Sequence, residues 1–488
     1  MQPKETRFSY VYQDLKKRII DSQYRKGECL PSSRRLCDEF QVGIFTVTNV
    51  LDALKQEGLI EIRPRRAPIV TYQGDRSGLQ AQAHAILAQR DVIVPVYRTI
   101  ALLMPSIFTF ASQNCPIETL PGYERAIKAG KSGIQMSAWR PLSELCKEIL
   151  NYTGNPLLSN LFTNFELYGC LPFFTEKNEY FIQNFLQDAP PVTVWIIDAL
   201  KGNDPVQKYL WLYHMYQDLA NHVEESIRQL EKELPEHREK SSIVFCWHPD
   251  HGRDYHYAHI VRELTNKIGF GDLPVGTLLT EGELAKEYGV SVSTVRSALS
   301  VLGMRGLTKT VQGKGTLVIK PDDSQVFQAL RFRSTRTELL TYLYALQLMV
   351  LISGPSAFYA APRISQEDLE KLLKPAGDAT GFLLSDIILC IKKRIDLTAL
   401  QTVFSETDRL TQWGYYFTFY SEKKQLTHTL NKMCRESLNH LKNGSFQAFA
   451  EGVSDCYRFI LDAACKFMLK KYRFTGASSL IIPPKFSF

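Results

Sequence analysis

The sequence predicts a mainly α-helical chain formed by internal duplication, in which two winged helix-turn-helix domains alternate with two all-helical domains. One observation behind this prediction is a repeat: residues 36–70 and 284–318 align without a gap at an offset of 248, with ten identical positions. The other is the helical spacing of apolar residues over long stretches after each copy. A repeat of this length outweighs weaker local signals and indicates one structural unit that occurs twice.

Capping residues and apolar spacing predict the first two helices of each copy. A first helix is expected over residues 10–22, and its counterpart begins at Tyr255. Ser32 is the expected N-cap of the second helix in the first copy, because a serine hydroxyl accepts a free backbone N–H there. In the second copy, Thr280 and Glu283 predict a capping box, in which each side chain satisfies a backbone N–H.

The third helices and the hairpin wings complete each copy. The third helices are predicted at Ile44–Gln56 and Val292–Met304, and Gly58 and Gly306 are placed to end them in the left-handed conformation. Two short strands then form each wing: 59–63 with 69–72, and 307–311 with 316–319. Three helices followed by a hairpin are the elements of a winged helix-turn-helix.

Helical patterns fill the segments that follow both wings. The predicted helices are 79–90, 142–150, 155–166, 191–201 and 204–234 after the first wing, and 334–353, 366–373, 397–420, 424–442 and 446–471 after the second. The apolar stretch 337–361 is expected to be a buried helix broken at Pro355, and not a membrane span. The pattern Pro-Ser-x-Phe-x-x-Ala recurs from Pro105 and from Pro355, so the duplication extends into these segments.

These patterns divide the chain into four expected domains. Winged helix-turn-helix domains are predicted at residues 1–75 and 252–320, and all-helical domains at residues 76–245 and 321–475. The 488 residues carry a net charge of +7, of which each winged domain contributes +3 (13 Lys and Arg against 10 Asp and Glu, and 9 against 6). A basic balance of this size is compatible with contact to phosphates.

Composition also indicates in which compartment the protein is expected and whether it is expected to be an enzyme. The ten cysteines are scattered and form no CxxC pair, so neither a disulfide framework nor a zinc finger is indicated. Reduced thiols favour a cytoplasmic protein, and the charged, amphipathic first residues lack the pattern of a signal peptide. No cofactor is indicated. The sequence shows no nucleophile–base arrangement, phosphate loop or carboxylate pair, so an enzyme is not expected.

The winged domains resemble the GntR family of bacterial transcription regulators. In the first, the matching segments are Leu30-Pro31-Ser32, Arg34, Leu36, Val42, Thr46-Val47, Leu51, Glu57-Gly58-Leu59 and Val70. In the second, they are Glu283-Leu284-Ala285, Gly289-Val290-Ser291, Thr294-Val295-Arg296, Ala298-Leu299, Gly306-Leu307 and Gly313-Lys314-Gly315-Thr316. The resemblance covers about 145 residues and implies DNA binding through the third, recognition helix and the wing.

Each winged domain departs from the family pattern at different positions. Ile44 and Val292 replace the arginine that opens the family's recognition helix, and Thr48 replaces a later arginine that the second domain keeps as Arg296. Arg34 is kept on the second helix of the first domain, where Gly282 stands in the second, and the first wing lacks both family glycines. The candidate DNA-contacting residues are Arg34, Thr46, Thr48, Asn49, Arg65, Arg66, Ser293, Thr294, Arg296 and Lys314.

The chemistry of these candidates predicts unequal DNA half-sites. Arginine binds the O6 and N7 atoms of guanine and asparagine suits adenine, so Arg296 and Asn49 favour different bases. Arg65 and Arg66 lie on a proline-bounded hairpin tip, which favours contact with phosphates or the minor groove over a solvated charge pair. Thr46 and its counterpart in the second domain either contact phosphate or pack the helix.

The helical domains resemble the all-helical (FCD-like) effector domain of the fatty-acid-responsive branch of the same family. The matching segments are residues 154–158, 198–201 and 360–369. Many members of that branch hold a metal with one Asp and three His. Here Leu142, Cys146 and Thr193 occupy three of those positions and the fourth falls on His214 or Met215, so no metal is expected. The residues that would line a small-molecule pocket are Cys146, Thr193, Trp211 and His214.

Four of the ten histidines cluster before and within the first helix of the second winged domain. They are His248, His251, His256 and His259, with Cys246 beside them. Their spacings match no standard zinc pattern, so a linker is favoured over a metal site.

The sequence favours a sequence-specific, DNA-binding transcriptional regulator that acts as a single-chain pseudo-dimer. The expected partners are a double-stranded DNA operator and a small-molecule effector in the helical domains, with no membrane partner. The chain is expected to be a monomer or a homodimer. The alternative is a structural or adaptor protein, whose degenerate winged domains bind protein, or bind DNA without sequence preference.

Overall fold

In the computed structural model the described residues are 7–131, 135–169, 192–234, 244–319, 333–374, 383–411 and 423–485, apart from short gaps at 21–23, 25, 41, 64–65, 73–83, 85, 248, 250–255 and 271. They form two compact units. Unit 1 comprises residues 1–152, 158–253 and 397–400, and unit 2 comprises residues 153–157, 254–396 and 401–488. The chain is mainly α-helical, and each unit begins with a winged helix-turn-helix domain, called head 1 and head 2 below.

Head 1 contains three helices and a two-stranded wing. The elements are α1 (Arg7–Ile20), α2 (Ser33–Phe40), α3 (Ile44–Gln56), β1 (Ile60–Glu61) and β2 (Ile69–Val70). The two strands pair antiparallel, with Ile60 opposite Val70. The apolar residues that repeat between the two heads, such as Leu36, Val47 and Leu54, are fully buried in one core. The repeat therefore encodes the packing of this domain.

The helical body of unit 1 follows its head. Its helices are α4 (Arg90–Ser112), α5 (Tyr123–Lys131), α6 (Gln135–Tyr152), α7 (Pro156–Gly169), α8 (Val192–Lys201) and α9 (Pro205–Glu233). Helices α4 and α9 pack along each other and bury residues of both, including Tyr97 and Val223. Asp204 caps α9, because its carboxylate accepts the backbone N–H groups of Val206 and Gln207.

Head 2 repeats the architecture with a larger sheet. Its elements are α10 (His256–Phe270), β3 (Leu278–Leu279), α11 (Glu281–Tyr288), α12 (Val292–Met304), β4 (Thr308–Val311) and β5 (Gly315–Val318). The strand order is β3-β5-β4, with both pairs antiparallel. Strand β3 was not predicted from the sequence, which indicated only the two strands of the wing. In head 1 the corresponding contact is a single bridge between Cys29 and Ile69.

The helical body of unit 2 consists of α13 (Arg333–Ala360), α14 (Gln366–Leu373), α15 (Leu383–Arg394), α16 (Thr398–Thr411), α17 (Lys423–Lys442) and α18 (Phe446–Tyr472). Ser365 and Asp368 form a complete capping box at the start of α14. Helices α13, α17 and α18 pack together and form the centre of this body.

Three predictions about local structure are confirmed in the heads. The recognition helices α3 and α12 have the predicted bounds. Ser32 caps α2, since its hydroxyl oxygen accepts the Arg35 N–H at 3.3 Å. Gly58 and Gly306 follow the recognition helices with φ of 73° and 70°, a left-handed conformation that favours glycine.

Other predictions about local structure are wrong. Thr280 does not complete a capping box, because its hydroxyl hydrogen-bonds the Glu283 carboxylate and not a backbone N–H. Helix α13 is not broken at Pro355 but continues to Ala360. Helix α4 (Arg90–Ser112) was not predicted from the sequence, and it runs through both Pro95 and Pro105.

In the part of the chain that the structure describes, two long helices are apolar enough to cross a membrane by length and composition. They are Arg90–Ser112 and the stretch Arg336–Arg363. In their most apolar windows, 72% and 83% of the residues are buried inside the protein. Burial of this kind is what the core helix of a packed body requires, and it agrees with the prediction that residues 337–361 are buried.

Candidate nucleic-acid interface

The recognition helix of head 2 presents one apolar and one polar face. Val295, Leu299 and Leu302 are buried against the rest of the head. The side chains exposed on the opposite face are those of Val292, Ser293, Arg296, Ser297 and Ser300. Ser291 caps the helix, since its hydroxyl oxygen accepts the Thr294 N–H at 3.2 Å. The sequence therefore anchors one face in the core and leaves a polar, cationic face in solvent.

Arg296 forms a two-point ion pair with the first residue of α11. Its Nε and Nη2 donate to the two carboxylate oxygens of Glu281, at 3.1 and 2.7 Å. Both side chains remain accessible, with 68% of Arg296 and 37% of Glu281 exposed. The guanidinium lowers the pKa of the Glu281 carboxyl, and the carboxylate raises the pKa of Arg296. Arg296 was predicted from the sequence as a contact residue, whereas its acidic partner was not.

The recognition helix of head 1 exposes apolar side chains instead. Ile44 and Phe45 are 60% and 76% exposed, whereas the buried face of α3 is formed by Val47, Val50, Leu51 and Leu54. Phe45 was not among the predicted contact residues. Its position outside the buried i, i+3, i+4 stripe of the helix is the signal that identifies it. A phenyl ring in this position can contact a thymine methyl group in the major groove.

The predicted polar contacts of head 1 lie on the same exposed surface. Thr48 and Asn49 are exposed on α3, and Arg34 is exposed on α2. The Thr48 hydroxyl donates to the Ile44 carbonyl at 2.9 Å, so its proton is used within the helix and its oxygen remains an acceptor. Thr46 is half-buried, as is its head 2 counterpart Thr294. Half-buried positions of this kind are compatible with both interpretations of these threonines, phosphate contact and helix packing.

The two wings differ in how their tips are built. In head 2, Gly313 and Gly315 have φ of 74° and 120°, and a Cβ on Gly315 would lie 2.9 Å from the Leu279 carbonyl oxygen. Glycine at 315 is thus required for β3 to pair with β5, and Lys314 lies exposed at the tip. In head 1, Arg66 is exposed, while Arg65 lies outside the described residues.

Only part of the predicted ligand pocket can be placed. Cys146 is buried in α6, and burial raises the pKa of its thiol. Trp211 is half-buried on α9 with its ring 3.8 Å from that of Trp195, and His214 is exposed one turn further on. The side chain of Thr193 lies outside the described part of the chain. A groove of about 530 Å³ lies elsewhere, in unit 2, and is lined by residues that include Phe358 and Phe446.

A buried lysine in unit 1 was missed from the sequence. Lys208, in the second turn of α9, is only 5% exposed, and its Nζ donates to the Ser112 hydroxyl at 2.9 Å. Among the described residues no carboxylate pairs with it. Burial therefore lowers the pKa of Lys208 to about 8.

Head 2 is joined to the helical body of its own unit by an ion pair. Arg305, which follows α12 and is 4% exposed, pairs with Glu338 of α13. At the corresponding position of head 1 stands Glu57, which pairs with Lys16 of α1 at 2.8 Å, within the head itself. The duplicated position thus makes different contacts in the two heads.

The predicted histidine cluster can be placed only in part. His248, His251 and the side chains of His256 and His259 lie outside the described residues. Trp247, next to them, is buried in unit 1, and its Nε1 donates to the Asn160 amide oxygen at 2.7 Å. A packed segment of this kind fits the linker interpretation, and the metal interpretation stays untested.

Comparison with known proteins gives a family for both heads. The model of the gntR family of bacterial regulatory proteins matches residues 9–70 and again residues 256–318. The HTH-type transcriptional repressor NagR of Bacillus subtilis (strain 168) is 41% identical over 75 residues, which are 15% of this chain and 31% of NagR. The chain thus spans less than a third of that relative's length.

Two further similarities extend beyond the heads. The HTH-type transcriptional repressor NanR of Enterobacter sp. (strain 638) is 23% identical over 202 residues, which are 40% of this chain and 76% of NanR. A solved structure, Streptococcus agalactiae GntR, has 19% identity and covers 42% of this chain and 99% of its own, with a TM-score of 0.20. That score is too low to support an argument about the whole chain. What the matches establish lies in the heads: this chain carries two helix-turn-helix domains of the gntR family of bacterial regulatory proteins.

Proposed function

We propose that this protein is a sequence-specific transcriptional regulator that binds one DNA operator with both of its heads. The observation that carries the proposal is the occurrence of two gntR-family heads in one chain. Both expose a recognition helix whose opposite face is buried. A single chain would then do what two subunits do in a dimeric regulator, namely present two recognition helices to two half-sites.

The side chains on the two recognition helices support an asymmetric operator. Arg296 of head 2 suits guanine, whereas Asn49 of head 1 suits adenine and Phe45 suits the thymine methyl group. Each recognition helix would enter a major groove, and Lys314 and Arg66 on the wings would contact phosphates. The base contacts determine sequence preference, while the wing contacts add affinity for any DNA.

The helical bodies are proposed to sense a small molecule in the cytoplasm. A ligand that favours one placement of the heads changes the affinity for two half-sites at a fixed spacing. Cys146, Thr193, Trp211 and His214 stay the candidate pocket residues. The relatives NagR and NanR are repressors by their names, and repression is therefore the direction that we propose here.

A competition titration tests the proposal. Labelled genomic fragments that the full chain retains are titrated against unlabelled fragments of equal length and base composition. We expect one class of fragment to compete at least about a thousandfold better than scrambled DNA, the lower end for specific DNA-binding proteins. Equal competition by all fragments would reject sequence-specific binding.

A second candidate function is that of an adaptor, and one observation favours it. Ile44 and Phe45 form an exposed apolar edge on head 1, where the family has an arginine at the first of these positions. An apolar edge of this kind can bind protein as well as DNA. Equal competition by all DNA fragments, together with unchanged DNA binding after Phe45→Ser, would select this candidate.

A further inference from the structure

The Arg296–Glu281 ion pair uses only one edge of the guanidinium. Nε and Nη2 lie on the same side of the planar group, and both donate to Glu281. The end edge, formed by Nη1 and the second hydrogen of Nη2, has no acceptor among the described residues. A guanine offers O6 and N7 to two parallel donors, which is the geometry of that end edge.

The internal duplication supplies a comparison within the same chain. At the offset of 248, Glu281 corresponds to Ser33 and Arg296 corresponds to Thr48. Head 1 thus lacks both the acid and the arginine, whereas head 2 has both. An exposed ion pair contributes little to stability because solvent screens it, so stability is a weak reason for the pair. Recognition gives a stronger reason, because an arginine held in one rotamer loses less entropy when it binds a base.

We propose that Glu281 is a positioning residue, which holds the side chain of Arg296 so that its end edge is available for one guanine of the operator. This inference rests on the proposed function. Glu281 itself would contact no base, and its carboxylate disfavours nearby phosphates. Its effect is therefore on discrimination between bases, and removing its charge raises the affinity for all DNA.

The test is a double-mutant cycle on the full chain. Dissociation constants are measured at one salt concentration for the selected operator and for a copy in which the Arg296-dependent base pair is replaced. The variants are Glu281→Gln, Arg296→Ala and the double variant. Glu283→Gln is the matched control, because it removes the same charge from the same helix without touching Arg296. Circular dichroism verifies that each variant is folded.

Discrimination is the ratio of the two dissociation constants. Arg296→Ala is expected to lower it by about 5- to 150-fold, the range for a two-point arginine–guanine contact. Glu281→Gln is expected to lower it by at least about twofold in the wild-type background and not at all in the Arg296→Ala background. Glu283→Gln should leave it unchanged, while both glutamine variants bind scrambled DNA more tightly.

Other outcomes overturn the inference in recognisable ways. If Arg296→Ala loses discrimination and Glu281→Gln keeps it, Glu281 does not position Arg296. If Glu281→Gln increases discrimination, the carboxylate masks the arginine instead of positioning it. If the wild-type chain prefers the operator over scrambled DNA but not over the copy with one base pair replaced, the inference fails while the proposed function stands. If it binds the operator and scrambled DNA equally, the proposed function fails and the inference fails with it.

Discussion

Arg296 and Thr48 occupy the same position on the two recognition helices, and their side chains differ in what they can recognise. Arg296 has a free guanidinium edge that can donate two parallel hydrogen bonds. Thr48 donates its one proton to the Ile44 carbonyl and offers only an acceptor. Because a base is identified by its pattern of donors and acceptors, we expect the duplicated position to prefer different bases in the two heads.

Replacing Arg296 by alanine should weaken operator binding by about 1–3 kcal/mol and relax the preference at one base pair. The matched control is Arg228→Ala on α9, an exposed arginine that pairs with Glu225 of its own helix and lies outside both heads. Titration of operator and scrambled DNA with each variant measures the effect. Equal weakening of both DNAs by Arg296→Ala would assign this residue to phosphate contact.

Lys208 gives a prediction about pH. Because burial lowers its pKa to about 8 from 10.5, the folded state loses this proton at a lower pH than the unfolded state does. Between pH 8 and 10.5 the unfolded state binds more protons, so this residue makes the free energy of unfolding increase as the pH rises. Below pH 8 the buried charge is present in full and destabilises the fold.

Lys208→Met should therefore stabilise unit 1 at pH 7, and the gain should shrink as the pH rises from 8 towards 10.5. Ser112 keeps a partner in the variant, since its hydroxyl also donates to the Phe108 carbonyl at 2.7 Å. Urea unfolding midpoints of the two proteins over this pH range measure the difference. Lys232→Met on the exposed face of α9 is the control. A constant difference at all pH values would show that Lys208 titrates normally.

At the scale of elements, the two wings are built differently but are expected to have the same role, which is contact with DNA phosphates. The head 2 wing needs Gly315 for a three-stranded sheet, whereas the head 1 wing pairs only two residues per strand. Both present cationic side chains, Lys314 and Arg66, in exposed positions. A cationic side chain on a hairpin tip can contact DNA phosphates, and such a contact does not depend on the base sequence.

Replacing Arg65 and Arg66 by alanine should weaken binding to all DNA sequences alike. The log–log slope of affinity against salt should flatten by roughly 0.9 for each lost phosphate contact. Lys128→Ala with Lys131→Ala, which removes two exposed charges from α5, is the matched control. Loss of sequence discrimination in the wing variant would place these arginines in a groove, against the prediction.

The bounds of helices could be predicted from the sequence where a turn or a glycine next to the helix determines them. The recognition helices were assigned to the residue because a turn precedes each and a left-handed glycine follows it. Helix α4 was not predicted, and it shows that a buried helix can contain prolines such as Pro95 and Pro105 when packing compensates for the lost backbone hydrogen bonds. Tertiary pairs such as Arg296 with Glu281 leave no periodic signal and could not be predicted.

At the scale of the whole molecule, the absence of a bound metal is a testable expectation. Leu142 is buried where the resembling effector domains have a ligand, and the raised pKa of Cys146 disfavours the thiolate that a metal needs. Elemental analysis of the purified chain should find less than stoichiometric zinc, nickel and manganese. A value near one metal per chain would contradict this and direct attention to the histidines at 248, 251, 256 and 259.

The duplication itself was readable from the sequence, since the ten identical positions lie mostly in the cores of both heads. The divergence between the heads was readable only in part. Thr48 against Arg296 is visible in an alignment, but the different contacts of Glu57 and Arg305 depend on packing. We therefore expect the different roles of the two heads to depend on the side chains that differ between them.

The central claim is that one chain reads one operator with two unlike heads, and binding-site selection from random DNA tests it most directly. The full chain is presented with a random window of about 30 base pairs, enough for two half-sites one helical turn apart. The account predicts a pseudo-palindrome with unequal halves, one of which loses its guanine when the selection is repeated with Arg296→Ala. Two identical half-sites, or no enriched sequence at all, would contradict it.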